Sequence, residues 1–216
     1  MPALAEQYTV IAPDTSCRRR SGHADEVSLV GHDIGGTVSY ALRGCPQGLG
    51  TAPDCCRGAP DRREPLPVPS VTPAGPGFWN FGFFMLGNGL PERIVTGRED
   101  TWVAGFVDWL EVVPGAVDPG AVAEYAAHLR RPGHLAASYA YFRAFPGDAG
   151  ATIRHRETPL AMPVLAIGGE GALGQAIPDQ MHLYAGDVTG AVLPCGHWVA
   201  EESPDLLLEH LLPFLR

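Results

Sequence analysis

Residues 26–36 read EVSLVGHDIGG. Val27, Leu29 and Val30 are β-formers expected to make a short buried strand, and Gly35 with Gly36 lets a helix over Thr37 to Arg43 start close against it. A strand that turns so sharply into a helix lifts the residue at the bend, Asp33, out of the sheet. This is the geometry of a nucleophile elbow, in which glycines flank a strained residue and the next residue, Ile34, can offer its backbone N–H to a developing oxyanion. A carboxylate at the bend can attack an sp³ carbon and remain as an alkyl ester. The competing reading is that Asp33 caps the Thr37 helix, because Asp is a favoured N-cap residue.

A second chemical signal lies near the C-terminus. Met162 to Gly169, MPVLAIGG, reads as a buried strand, and Ala191 to Leu193 as another that delivers Pro194-Cys195-Gly196-His197. A His on a glycine turn just past a strand end is well placed as a general base, because its pKa lies near neutrality; the alternative is a structural surface His. His32 is read as a packing or orienting residue. His23, His128, His134, His155, His182 and His210 fall in helical or loop patterns and are read as incidental.

With 216 residues and 45% apolar content the chain can bury one sizeable core. A net charge of −9 argues against a nucleic-acid partner, and the three arginines at 18–20 make too short a run to change that. No run of about 18 apolar residues and no signal peptide is present, so a cytoplasmic, membrane-free protein is expected. The five cysteines are odd in number and form no CxxC pair, which disfavours a disulfide framework and a zinc site.

Along the chain, Pro2 to Gln7 reads as the end of a helix and Tyr8 to Ala12 as a strand. Gly44 to Gly77 is rich in proline and reads as an irregular linker, with a strand near 50–57 as the second reading. From Phe78 the pattern turns helical. Pro91 to Val113 is amphipathic, Asp118-Pro119 caps a helix to about Arg130, Arg131-Pro132 opens another through Phe145, and Ser203-Pro204 starts a last helix. Trp79, Phe81, Phe84, Trp102, Trp109 and Tyr139 are expected mostly to form core between these helices and the sheet.

Gly31-His32-Asp33-Ile34-Gly35-Gly36, together with Cys195-Gly196-His197-Trp198, resembles the α/β-hydrolase fold, specifically its epoxide hydrolase and haloalkane dehalogenase branch. The similarity runs from about Leu4 to Leu215 and is weak over 44–77. It implies an α/β fold with a mostly parallel sheet of reduced strand number and an inserted helical cap. Residues 1–60 and 151–216 would then be the two parts of the hydrolase core, 61–77 a linker and 78–150 the cap. The implied chemistry is epoxide opening by Asp33, followed by His197-assisted hydrolysis of the ester, with Ile34 as oxyanion donor and neither cofactor nor metal. The partner would be a small molecule, an epoxide or alkyl halide; a homodimer stays open.

Several family features are displaced. No His-Gly-x-Pro loop, the second oxyanion donor, occurs in the sequence, and the chain is expected to begin after it and after a strand that normally separates 8–12 from the elbow strand. Cap tyrosines of epoxide hydrolases would donate to the epoxide oxygen. One falls on Phe142 in the triplet Tyr141-Phe142-Arg143, so Tyr139 or Tyr141 is expected to substitute, with Trp79 and Phe81 as further substrate contacts. The triad acid falls on Gly58 or Ala172; Glu170 is chosen as the nearest to the second, with Asp54 and Asp61 near the first. A haloalkane dehalogenase-like hydrolase is one alternative, with Trp79 and Asn80 as halide donors. A haloacetate substrate is disfavoured because 34–38 contains no arginine. From another class, the chain would be a non-catalytic, degenerate remnant.

Overall fold

A computed structural model describes residues 2–12, 27–43, 52–53 and 78–216. At its centre is a parallel sheet in the order β1 (Ala52–Pro53), β2 (Val164–Gly169), β3 (Val188–Leu193). The register pairs Ala52 with Val164 and Val164 with Val188, and continues in step to Gly169 with Leu193. All six residues of β2 are buried, as expected for a strand covered on both faces of a parallel sheet.

The period-2 alternation of β2 divides the core into two layers. Val164 and Ala166 face one layer with Tyr40 of α2 (Ile34–Arg43), Ile177 and Met181 of α8 (Ala176–Met181), and Tyr184. Leu165 and Ile167 face the other with Leu193, Cys195, Val199 of α9 (Val199–Glu202) and Leu211 of α10 (Pro204–Phe214). Leu4 of the short α1 (Pro2–Ala5) joins this second layer. Each of the large apolar side chains contributes about 1.5–3 kcal/mol by leaving water.

Between β1 and β2 the described residues form five helices: α3 (Trp79–Met85), α4 (Leu90–Val95), α5 (Glu99–Leu110), α6 (Pro119–Leu129) and α7 (His134–His155). The Asp118 side chain caps α6, accepting from the Gly120 and Ala121 amides, and Pro119 occupies the first turn, where its missing N–H is no loss. Phe84, Val95, Leu135, Tyr139 and Phe142 make one core of this section; Val103, Val107, Val117 and Ala126 make another. Arg143 of α7 clamps α3 and α4, pairing with Glu92 at 2.7 Å and donating from Nε to the Leu86 carbonyl at 3.1 Å.

Four sequence expectations are corrected here. Residues 8–12 are not a strand, and Ile11 is 79% exposed. Residues 27–30 are not a strand either, with Val30 55% exposed. Alternating β-formers make a strand only when a neighbour completes the ladder, and among the described residues none lies beside these two segments. Within the section read as linker, Ala52–Pro53 is a strand paired to β2, so the second reading holds at those two residues; 61–77, and with it Asp61, lies outside the described residues, as does Asp54. The last correction concerns α7, which runs through Pro146 to His155 instead of ending at Phe145. An internal proline removes one helical hydrogen bond, and the chain carries that loss without ending the helix. Among the described residues no helix is long and apolar enough to cross a membrane.

Ile167 reaches across the layer of Leu193, Val199 and Leu211 from the centre of the sheet, at 2% exposure. Ile167→Ala is therefore expected to destabilise the fold by about 2–5 kcal/mol, read as a lower urea midpoint at an unchanged slope.

Candidate functional site

The turn before α2 is held by three backbone bonds: Gly35 N to His32 O, and Gly36 N and Thr37 N to Asp33 O. Asp33 has φ 51°, the left-handed region that Asp tolerates better than most residues because its short polar side chain can bond locally. A Cβ on Gly31 would collide with the Gly35 carbonyl, so the segment can approach the helix start only with glycine there. The bend thus delivers Asp33 at the mouth of α2, and Ile34, the first residue of α2, has an amide with no intrahelical acceptor.

His197 arrives from the far side on the turn after β3. Its Nε2 lies 3.2 Å from Asp33 Oδ2, with the His197 side chain almost fully buried and Asp33 less so. Two residues separated by 164 positions in sequence therefore meet. The turn itself is closely packed: a Cβ on Gly196 would strike the Leu110 carbonyl and Glu202.

The backbone around His197 is bonded on every side. Its N–H donates to Leu110 O at 3.1 Å, and its carbonyl accepts from His32 Nε2 at 2.7 Å. A carbonyl can only accept, so His32 carries its proton on Nε2. His32 opens onto the cavity; desolvation there, then the neighbouring His197 imidazole, lower its pKa and keep it neutral at pH 7. Glu202, buried at the end of α9, accepts from Gly196 N at 3.0 Å and Trp198 N at 3.0 Å, and also from Val112 N and Val113 N at 2.8 and 2.9 Å. Removal from water pushes the Glu202 pKa up, but the four backbone N–H groups outweigh it and the net shift is downward.

Asp33, His197 and Ile34 open into a cavity of about 1000 Å³, at the upper end of the roughly 300–1,000 Å³ usual for small-molecule sites. Phe84, Trp102, Phe106 and Phe142 supply apolar wall, and Tyr139, Tyr141 and Asn80 supply polar groups. The Tyr139 hydroxyl and Asn80 Oδ1 are buried with no hydrogen-bond partner among the described residues. Burial also raises the Tyr139 pKa, so its hydroxyl is protonated and able to donate.

The remaining expected site residues fall elsewhere. Trp79 packs on Phe83, Trp102 and Trp109 and does not line the cavity. Phe81 is core, edge-on to Phe142 at 5.1 Å. Glu170 is exposed and outside the cavity lining: its amide continues the β2 pairing to Leu193 O while the turn after it folds back at Gly174, leaving the carboxylate in solvent. Asp33 is the carboxylate that the structure brings to the His197 ring. Glu202 went unnoticed in the sequence; its one signal was an acidic residue a turn of helix beyond the Gly-His pair.

No protein-family model matches the chain. In sequence it is 26% identical to the soluble epoxide hydrolase of Corynebacterium sp. (strain C12), over 99% of this chain and 83% of that protein. A solved structure of a candidate epoxide hydrolase from Pseudomonas aeruginosa superposes with a TM-score of 0.75 at 27% identity, covering 87% of this chain and 64% of that one. The epoxide hydrolase CorEH superposes with a TM-score of 0.75 at 23% identity, covering 89% and 69%. The chain spans about two thirds of the length of these solved structures. Its fold is that of the α/β-hydrolases. Within them, the chain is similar in sequence and structure to the epoxide-hydrolase branch.

The pH dependence of stability follows from Glu202. Its folded pKa lies below the unfolded value, so its contribution is fully present above the unfolded value of about 4.5 and is lost as pH falls through the folded pKa. Glu202→Gln turns an amide N–H toward at least one backbone N–H and is expected to lose about 1–3 kcal/mol at pH 7. In urea melts from pH 7 downward, the gap between the two proteins should close on the acid side; a constant gap would contradict the assignment.

Proposed function

We propose that the chain is an epoxide hydrolase-like enzyme acting in the cytoplasm on small-molecule epoxides, with Asp33 as nucleophile on a nucleophile elbow and the helical section 78–150 as a cap over it. The observation that carries the reading is the 3.2 Å approach of His197 Nε2 to Asp33 Oδ2 at the floor of an aromatic-walled cavity. Asp33 attacks one epoxide carbon, the C–O bond breaks, and Tyr139 Oη donates its proton to the oxygen released. With Asp33 esterified its charge is gone. A neutral His197 with its proton on Nδ1 then presents Nε2 to water and takes a proton as the water oxygen attacks the Asp33 carbonyl carbon. The Ile34 amide faces the oxyanion that forms, and collapse expels the diol oxygen, which takes a proton from His197; the second proton of the water, left on the Asp33 carboxyl, passes through solvent to the Tyr139 phenolate and restores both groups.

Supporting the choice of Tyr139 over Tyr141 is its buried hydroxyl, which has no hydrogen-bond partner among the described residues. The haloalkane alternative is weaker because Trp79, one of its two halide donors, is turned into the aromatic core. With phenylalanine at 142 and Glu170 in solvent, turnover on aryl epoxides is expected below the usual range of about 1–10³ s⁻¹.

Asp33→Ala should abolish turnover. His197→Gln should permit a single round and leave an alkyl ester on Asp33, visible as the adduct mass in intact-protein mass spectrometry. Tyr139→Phe should slow ester formation by about 10²-fold or more while leaving ester hydrolysis unchanged. Full activity in Asp33→Ala overturns the reading.

A further inference from the structure

We infer that Glu202 is a positioning residue for the second half of the reaction: its buried carboxylate holds His197 where Nε2 can reach the ester-attacking water. The inference rests on the function proposed above but draws on separate observations. Oε1 accepts from Trp198 N and Oε2 from Gly196 N. One carboxylate thus grips the amide N–H groups of the residues immediately before and after His197, leaving the residue little freedom to rotate about its own backbone.

Oε2 accepts two further bonds, from Val112 N and Val113 N. These residues follow Leu110, whose carbonyl accepts the His197 N–H, at the end of α5. Leu110 and Val112 line the cavity, and Trp198 Nε1 donates to Val107 O in the same helix at 3.2 Å. The base-bearing turn is thereby tied to the helix that walls the substrate cavity, with Glu202 as the knot. Such a group acts through His197 and touches no substrate.

A carboxylate is required here, and not merely a polar side chain. Four N–H groups converge on two oxygens, and only an anion offers enough lone pairs with no hydrogen of its own. In Glu202→Gln the amide oxygen can take the Oε2 place and keep three bonds, but then its NH₂ faces the Trp198 N–H; reversed, it faces three donors. Either way the turn on one side of His197 is released. Ester formation uses Asp33 and Tyr139, so it should survive; ester hydrolysis uses His197, so it should not.

The test is single-turnover kinetics with an aryl epoxide on the wild type, Glu202→Gln, Glu202→Asp and Ile167→Val, the last a core variant that loses stability while keeping every hydrogen bond to the turn. We expect Glu202→Gln to form the Asp33 ester at the wild-type rate and to hydrolyse it up to about 10²-fold more slowly, the loss that a displacement near 1 Å produces. Glu202→Asp, which keeps the charge on a shorter arm, should recover part of the rate, and Ile167→Val should change neither step. In parallel, ¹H–¹⁵N NMR should show the His197 ring resonances and their titration altered in Glu202→Gln, with faster amide exchange at Gly196 and Trp198. Wild-type ester hydrolysis in Glu202→Gln, an equal loss in both half-reactions, or the same loss in Ile167→Val would overturn the inference. If the wild type forms no ester, the proposed function fails; the NMR comparison then decides the positioning role by itself, an unchanged His197 environment rejecting it.

Discussion

Val164–Gly169 is buried on both faces, and a strand in that condition must be covered twice. One cover comes from α2 and α8, the other from α9, α10 and α1. The bend before α2 and the turn after β3 lie at the same end of the sheet, and from there the chain passes to one face after the first and to the other face after the second. The chemistry is located by this arrangement. Asp33 and His197 meet because the helices that follow them close opposite faces of one buried strand, and ligands of open parallel sheets gather at such carboxyl ends.

Meeting is not the same as being held. Asp33 is held by its own short turn, with a left-handed backbone and a glycine on which the helix start rests. His197 is held from farther away as well. Its own backbone is bonded by Leu110 and His32, both remote in the chain, while Glu202 on the adjoining helix holds the flanking amides. A carboxylate fixed by local geometry and an imidazole fixed largely by distant partners differ in what can disturb them. The first is exposed to changes in four or five neighbouring residues, the second to changes anywhere between α5 and α9.

The cavity has its own division of labour. Stacking of Phe84 on Tyr139 at 4.8 Å, and the close Phe84–Phe142 pair at 4.6 Å, make a rigid aromatic wall. Into it are set two buried polar atoms without partners among the described residues, Tyr139 Oη and Asn80 Oδ1. An unmade buried hydrogen bond is unfavourable by about 1–3 kcal/mol, and a bound molecule that completes it recovers that energy.

Much of this was legible from the sequence by itself, and for a physical reason: turn chemistry and helix caps act over a few residues. The Gly-His-Asp-Ile-Gly-Gly bend, the Asp118 cap, the apolar run of β2 and the glycine turn at His197 are local patterns, and each appears where its residues imply. Residues 8–12 and 27–30 show the limit, because β-formers pair only with a neighbouring strand that no local pattern supplies. Glu170 and Glu202 show it more sharply. Both are acids near a strand end or helix start, indistinguishable by type and spacing, yet one lies in solvent and the other is buried against four backbone N–H groups. Which of them was buried depended on the approach of α5, about ninety residues earlier in the chain for Glu202. Tertiary packing decided it, since the burial of a charge is set by what arrives to bond it.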